Sequence, residues 1–142
     1  MHMWRFVFIG LLSSVLTGAS PLTSQTPVSN FRLPTFNQEG HRSMLIQGAS
    51  AVVNSSQIEL TELNLTLFAG DSKDTIETII LSPQAVAELD NERIHGAQMV
   101  RVIRDDLEIT GVQWSYDHRA KKVSIATKAR IVFHAPLPDI LK

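Results

Sequence analysis

Residues 107–116 read Leu107-Glu108-Ile109-Thr110-Gly111-Val112-Gln113-Trp114-Ser115-Tyr116, an alternation of apolar and polar side chains that changes phase midway. Apolar positions are odd as far as Ile109 and even from Val112, so the switch falls at Thr110-Gly111. A period of two is the signature of a half-buried strand. A one-residue slip would send every later side chain to the wrong face, so a phase change calls for a bulge or a corner. Residues 58–67, Ile58-Glu59-Leu60-Thr61-Glu62-Leu63-Asn64-Leu65-Thr66-Leu67, do the same and switch at Thr61-Glu62. Each block follows an Ile-x-Gly-Ala sequence, at 46–49 and 94–97. A β unit built twice predicts a sheet that propagates by repetition and keeps one continuous apolar face.

The flanking sequence fits hairpins. Each block runs into a polar loop, 70–74 and 117–121, and an extended apolar run returns after it, 75–81 and 123–133. Residues 44–46 and 51–54 are further strand segments. In the last run Val123 and Ile125 share one face, and Ile131 and Phe133 share one face. Residues 82–89 are the best helix candidate, with Ser82 as a cap and Pro83 at the first helical position. The stretch is short, and strand or loop is the preferred reading. Short strands at regular spacing with polar turns predict an all-β sandwich, jellyroll or open barrel.

The chain has 142 residues, enough for one domain and a short N-terminal extension. Thirteen Lys and Arg against fourteen Asp and Glu give a net charge of −1. Such a balance, with only short basic clusters at 119–122 and 128–130, argues against nucleic acid as a partner. The absence of cysteine excludes disulfides, thiolate nucleophiles and sulfur-ligated zinc. Residues 1–19, MHMWRFVFIGLLSSVLTGA, carry Arg5, an apolar stretch and the small residues Thr17-Gly18-Ala19. They read as a cleaved signal peptide or a retained single-pass anchor, which places the body outside the inner membrane. Residues 20–30 read as a Ser, Thr and Pro linker, 31–135 as the domain and 136–142 as a tail.

No constellation for catalysis stands out. His41, His95, His118 and His134 are scattered without metal-ligand spacing and read as surface or strand-face side chains. Asp105-Asp106 reads as a turn, because adjacent strand residues point to opposite faces and would not converge on a substrate. The serines lack a nucleophile-elbow context. The expectation is no enzyme, no catalytic residues, no cofactor and no metal.

A family resemblance adds to this reading. RVIRDDLEITGVQWSYDHRAKKVSIATKARIVF, residues 101–133, resembles the periplasmic lipopolysaccharide export proteins LptC and LptA and their OstA-like relatives. The shared features are strand, acidic turn, strand, small turn, and an aromatic strand ending in Tyr116-Asp117. A basic loop at 118–122 and a closing strand from Val123 follow. RLPTFNQEGHRSMLIQGASAVV, residues 32–53, is similar to the family's opening, and TIILSPQAVAEL, residues 78–89, to its central strand. The resemblance covers about 31–135 and implies an antiparallel β-jellyroll, or rolled open sheet, with an apolar trough. It further implies lipopolysaccharide acyl chains against Ile58, Leu60, Leu63, Leu65, Leu107, Ile109, Val112, Trp114 and Ile125. The partners it implies are other lipopolysaccharide-export β-jellyroll proteins, met edge to edge, and the inner-membrane ABC transporter. The chain is short for the family, and its leader ends in small residues, so an LptC-like anchored role and an LptA-like soluble role both stay open. The alternative is an envelope structural or interaction module with a closed core and no lipid.

Overall fold

The computed structural model describes residues 26–134. The segments 1–19 and 136–142, with most of 20–30, lie outside the described residues. Seven strands follow in chain order: β1 (Val28–Phe36), β2 (Arg42–Val53), β3 (Gln57–Phe68), β4 (Ile76–Glu88), β5 (Arg93–Arg104), β6 (Leu107–Asp117) and β7 (Lys122–Phe133). They form one antiparallel sheet in the order β1-β2-β3-β4-β5-β6-β7, each strand paired with its sequence neighbours. The fold is all-β, as the alternation predicts. The two repeated units are the hairpins β2–β3 and β5–β6. Residues 44–46 and 51–53 belong to the single long strand β2, and β1 begins at Val28, inside the stretch read as linker.

A flat meander would leave its apolar face wet, so this sheet folds over on itself. Buried positions on four strands advance in steps of two and then take one step of three. The longer step runs from Gly48 to Ala51 on β2, Leu60 to Leu63 on β3, Ser82 to Ala85 on β4 and Gly111 to Trp114 on β6. Left-handed backbone marks the same level on β1 at Asn30 (φ 53°), β3 at Glu62 (57°), β6 at Gln113 (62°) and β7 at Lys128 (57°). On β5 the register with β6 shifts between Gly96 and Met99. A corner therefore crosses all seven strands, and each irregularity is the extra residue that turns its strand. Side chains on both sides of it then share one core, where Met44, Ile46, Leu65 and Ile80 join Ile58, Leu60, Ala87, Ile94 and Tyr116.

The two phase switches are points on this corner. In β3 the switch lies at Thr61-Glu62, as the alternation indicates. In β6 the structure moves it from Thr110-Gly111 to Val112-Gln113. Gly111 is still on the inner face, and Gln113 takes the left-handed conformation. Gly111 is required for a different reason: a Cβ there would lie 2.3 Å from Cγ2 of Ile125.

Residues 82–89 are strand, with no helical turn. Ser82 is buried and bonds across to β5, its Oγ donating to the Met99 carbonyl at 2.7 Å. Pro83 lacks an N–H and would weaken a central strand, but it sits where β4 and β5 are unpaired between Leu81 and Val86. The corner thus removes the usual objection to a proline there.

Candidate functional site

One inner row runs through every strand: Leu33 pairs with Ile46, Ile46 with Leu65, Leu65 with Ile80, Ile80 with Val102, Val102 with Ile109, and Ile109 with Ile131. Directly opposed residues in an antiparallel sheet share a face, so this is a continuous aliphatic stripe. Its depth varies along its length. Leu65 and Ile80 are wholly buried, Leu33 and Ile109 are half-buried, and Ile131 on the last strand is 55% exposed. Phe133, on the same face of β7, is 65% exposed. The middle of the interior is packed shut, and its β7 margin faces solvent.

At the end of the fold where the β4–β5 and β6–β7 turns approach β1 and β2, the packing leaves two cavities. The larger, about 400 Å³, has a floor of Leu67, Phe68, Val102, Ile109, Tyr116 and Val123. Arg104, Lys121 and Glu77 stand among its polar lining groups. The smaller, about 150 Å³, lies between Met44 and Ile46 on one side and Ala87, Leu89 and Ile94 on the other. Arg42 closes over the Phe68 ring at 4.4 Å, and its guanidinium reaches Asp74 at 3.4 Å.

Tyr116 and His118 are both among the lining groups of the larger cavity. The Tyr116 hydroxyl and His118 Nδ1 are hydrogen-bonded at 2.9 Å. Burial, then the charges of Asp117 and Glu77, push the Tyr116 phenol up to about 12. Burial, then the charge of Lys121, also holds His118 below the usual imidazole range. A measurable consequence follows, because Tyr116 is the single tyrosine of the sequence. The folded state prefers the protonated phenol, so its stabilisation is complete below the unfolded pKa near 10 and is lost as pH rises to about 12. Tyrosinate absorbance should have its midpoint near 12, and folding stability should fall by about 2–3 kcal/mol over this window. Tyr116→Phe should remove that slope. A midpoint at 10 would show the phenol to be solvated.

The side chains expected on the lipid-facing interior fall into four groups. Ile58, Leu60, Leu63, Leu65 and Trp114 are in the buried core, and Ile109 and Ile125 pack against it half-buried. Leu107 shares the face of Ile109 but stands beyond the packed core, opposite Phe133. Val112 stands apart from these. It sits at the corner, paired with exposed Met99 and Thr127, and does not join the core. The structure adds Ile46, Ile80, Val102, Ile131 and His118. The signal for Ile46 and Ile80 was weak, because Met44-Leu45-Ile46 and Ile79-Ile80-Leu81 are unbroken apolar runs that do not reveal a face. Among the described residues no three His, Asp or Glu side chains come together as a metal site.

No family model matches the sequence, and no curated protein matches it. Among solved structures the chain is similar to LptH of Pseudomonas aeruginosa, the LptA-homologous periplasmic component of the conserved lipopolysaccharide transport device. The TM-score is 0.55 at 11% identity, over 79% of this chain and 96% of that one. At that identity the correspondence is one of fold: this chain has the LptA-like β-jellyroll architecture expected from the resemblance.

Proposed function

We propose that this protein is a periplasmic lipopolysaccharide-export component that holds acyl chains on its inner face and passes them on by sheet-edge contact. The aliphatic row from Leu33 to Ile131 carries the reading. It is continuous over seven strands, and it grades from packed core to solvent at β7. Hydrocarbon needs such a dry face, and a β7 edge that is uncovered among the described residues lets the face continue into a neighbouring β-domain. Arg104 and Lys121 at the larger cavity suit the anionic headgroup of a lipid whose chains lie inside. Other lipopolysaccharide-export β-jellyroll proteins, and the inner-membrane ABC transporter, are the partners of this reading. The fold shared with LptH supports it.

One observation favours the alternative of an envelope interaction module without cargo. The centre of the row, at Leu65 and Ile80, is filled by side chains alone. Placement of a photo-crosslinking residue decides between them. At Leu107, Ile109 and Ile125, which are not wholly buried, it should capture lipopolysaccharide, while at exposed Glu59 it should not. Folded protein with no lipid adduct at any interior position would end the transport reading and leave the module.

A further inference from the structure

We propose that His118 is a partition that sets the length of hydrocarbon chain the interior accepts; this rests on the lipid-binding reading above. The two cavities have just two lining residues in common, Ser43 and His118. They are neighbouring compartments of one interior, separated by one side chain from each layer of the folded sheet. Ser43 is tied to β1, with its hydroxyl 3.0 Å from that of Thr35. His118 stands on the opposite side, in the β6–β7 turn.

That turn is anchored firmly. The His118 backbone N–H donates to the Glu92 carbonyl at 2.9 Å. Arg119 Nε donates to the Glu92 carboxylate at 2.6 Å, and its Nη2 donates to the Asp90 carbonyl at 3.1 Å. The β6–β7 turn is thereby fastened to the β4–β5 turn without help from the imidazole. The ring itself is held against Tyr116, with centroids 5.8 Å apart and the phenol bonded to Nδ1. Removing the imidazole would therefore open the passage and leave the backbone that frames it in place.

The compartments differ in character. The larger is lined by Arg104 and Lys121 against Glu77, the smaller by Arg93 against Glu88 and Glu92, so the anionic end of a chain belongs in the larger. A chain entering from Arg104 and Lys121 crosses an apolar floor and meets His118. Beyond the ring lies a space of about 150 Å³ with Met44, Ile46, Ala87 and Ile94 on its apolar side and Glu88, Glu92 and Arg93 on its polar side, room for a group about the size of benzene. In this proposal the ring holds the chain back from those 150 Å³.

The test is a length series of saturated fatty acids, octanoate to hexadecanoate, titrated calorimetrically below their micelle concentrations into the full chain and its variants. In the unmodified protein, affinity should rise with length and then level off. In His118→Ala the rise should continue past that point, by about fourfold for each methylene newly buried. The shorter acids should bind both alike. His118→Phe, which restores a ring of similar reach, should restore the plateau, an outcome that a merely loosened fold would not produce. Equal length profiles in His118→Ala and the unmodified protein, or a uniform gain at all lengths, would overturn the partition alone. Binding of no acid by any of the three proteins would overturn the lipid-binding reading together with it.

Discussion

Replacing Gly96 with alanine is expected to cost about 2–6 kcal/mol of folding stability, against about 1–2 kcal/mol for the same change at Gly111. The order is the reverse of what the shortest contacts suggest. A Cβ at Gly111 would lie 2.3 Å from Ile125 Cγ2, closer than any contact at Gly96. That methyl is the Cβ branch of a half-buried side chain on the edge strand β7, and a shift of the edge strand or a change of the Ile125 rotamer can move it. At Gly96 the Cβ would lie 2.6 Å from Trp114 Nε1 and 2.8 Å from the Gln84 carbonyl oxygen. The carbonyl is backbone of the neighbouring strand at the corner. The indole is buried, and its N–H donates to Ser82 Oγ at 3.2 Å. Overpacking here costs about 1–3 kcal/mol, and displacing the indole strands a buried donor for about 1–3 kcal/mol more. Denaturant unfolding of the two variants checks the order. A larger loss at Gly111 would mean that β7 is fixed as rigidly as the sheet centre, contrary to its exposure.

The same corner explains what could and could not be read from the sequence. Ile58, Leu60, Leu63, Leu65 and Leu67 alternate with polar residues throughout, so their step of three is visible and their faces are correct. The strands themselves and the turns at 70–74, 105–106 and 117–121 are legible for the same reason, since period and punctuation are local. Gly111 misleads because glycine commonly signals a bulge, whereas here it makes room for Ile125, a contact between strands. Residues 82–89 carry real helix-start chemistry, and only the interrupted β4–β5 ladder shows why Pro83 fits a strand. Val28 and Asn30 sit in a Ser, Thr and Pro context that hides the start of β1. The partition at His118 is the least legible feature. It depends on two turns fastened together by Glu92 and on Ser43 from the opposite layer, and none of these is near His118 in sequence. A lone histidine in a polar loop has no periodicity to betray which way it faces.

Alanine substitutions along the inner row should trace a dome of stability loss, and Leu65→Ala at its summit should cost about 4 kcal/mol. Leu65 has no exposure, lies on a central strand and pairs with Ile46 and Ile80, both themselves sealed. Deleting its side-chain carbons forfeits their burial and leaves a cavity that β-strands held on both sides cannot close. Ile109→Ala, half-buried, should cost about 2 kcal/mol, and Ile131→Ala no more than about 0.5 kcal/mol, as for an exposed site. Guanidinium unfolding of the three variants measures the gradient. A loss at Ile131 as large as that at Leu65 would mean that the β7 margin is covered in solution. A second copy as the cover would also make the unfolding midpoint depend on protein concentration. With the dome as expected, core and candidate cargo surface are one face at two depths. The centre then serves folding, because water is already gone from it, and only the margin keeps apolar surface for another molecule to cover. A variant that is stable yet fails to take up lipid is therefore expected from margin positions such as Leu107, Ile109, Ile125 or Ile131, since any change at Leu65 or Ile80 reads out as unfolding first.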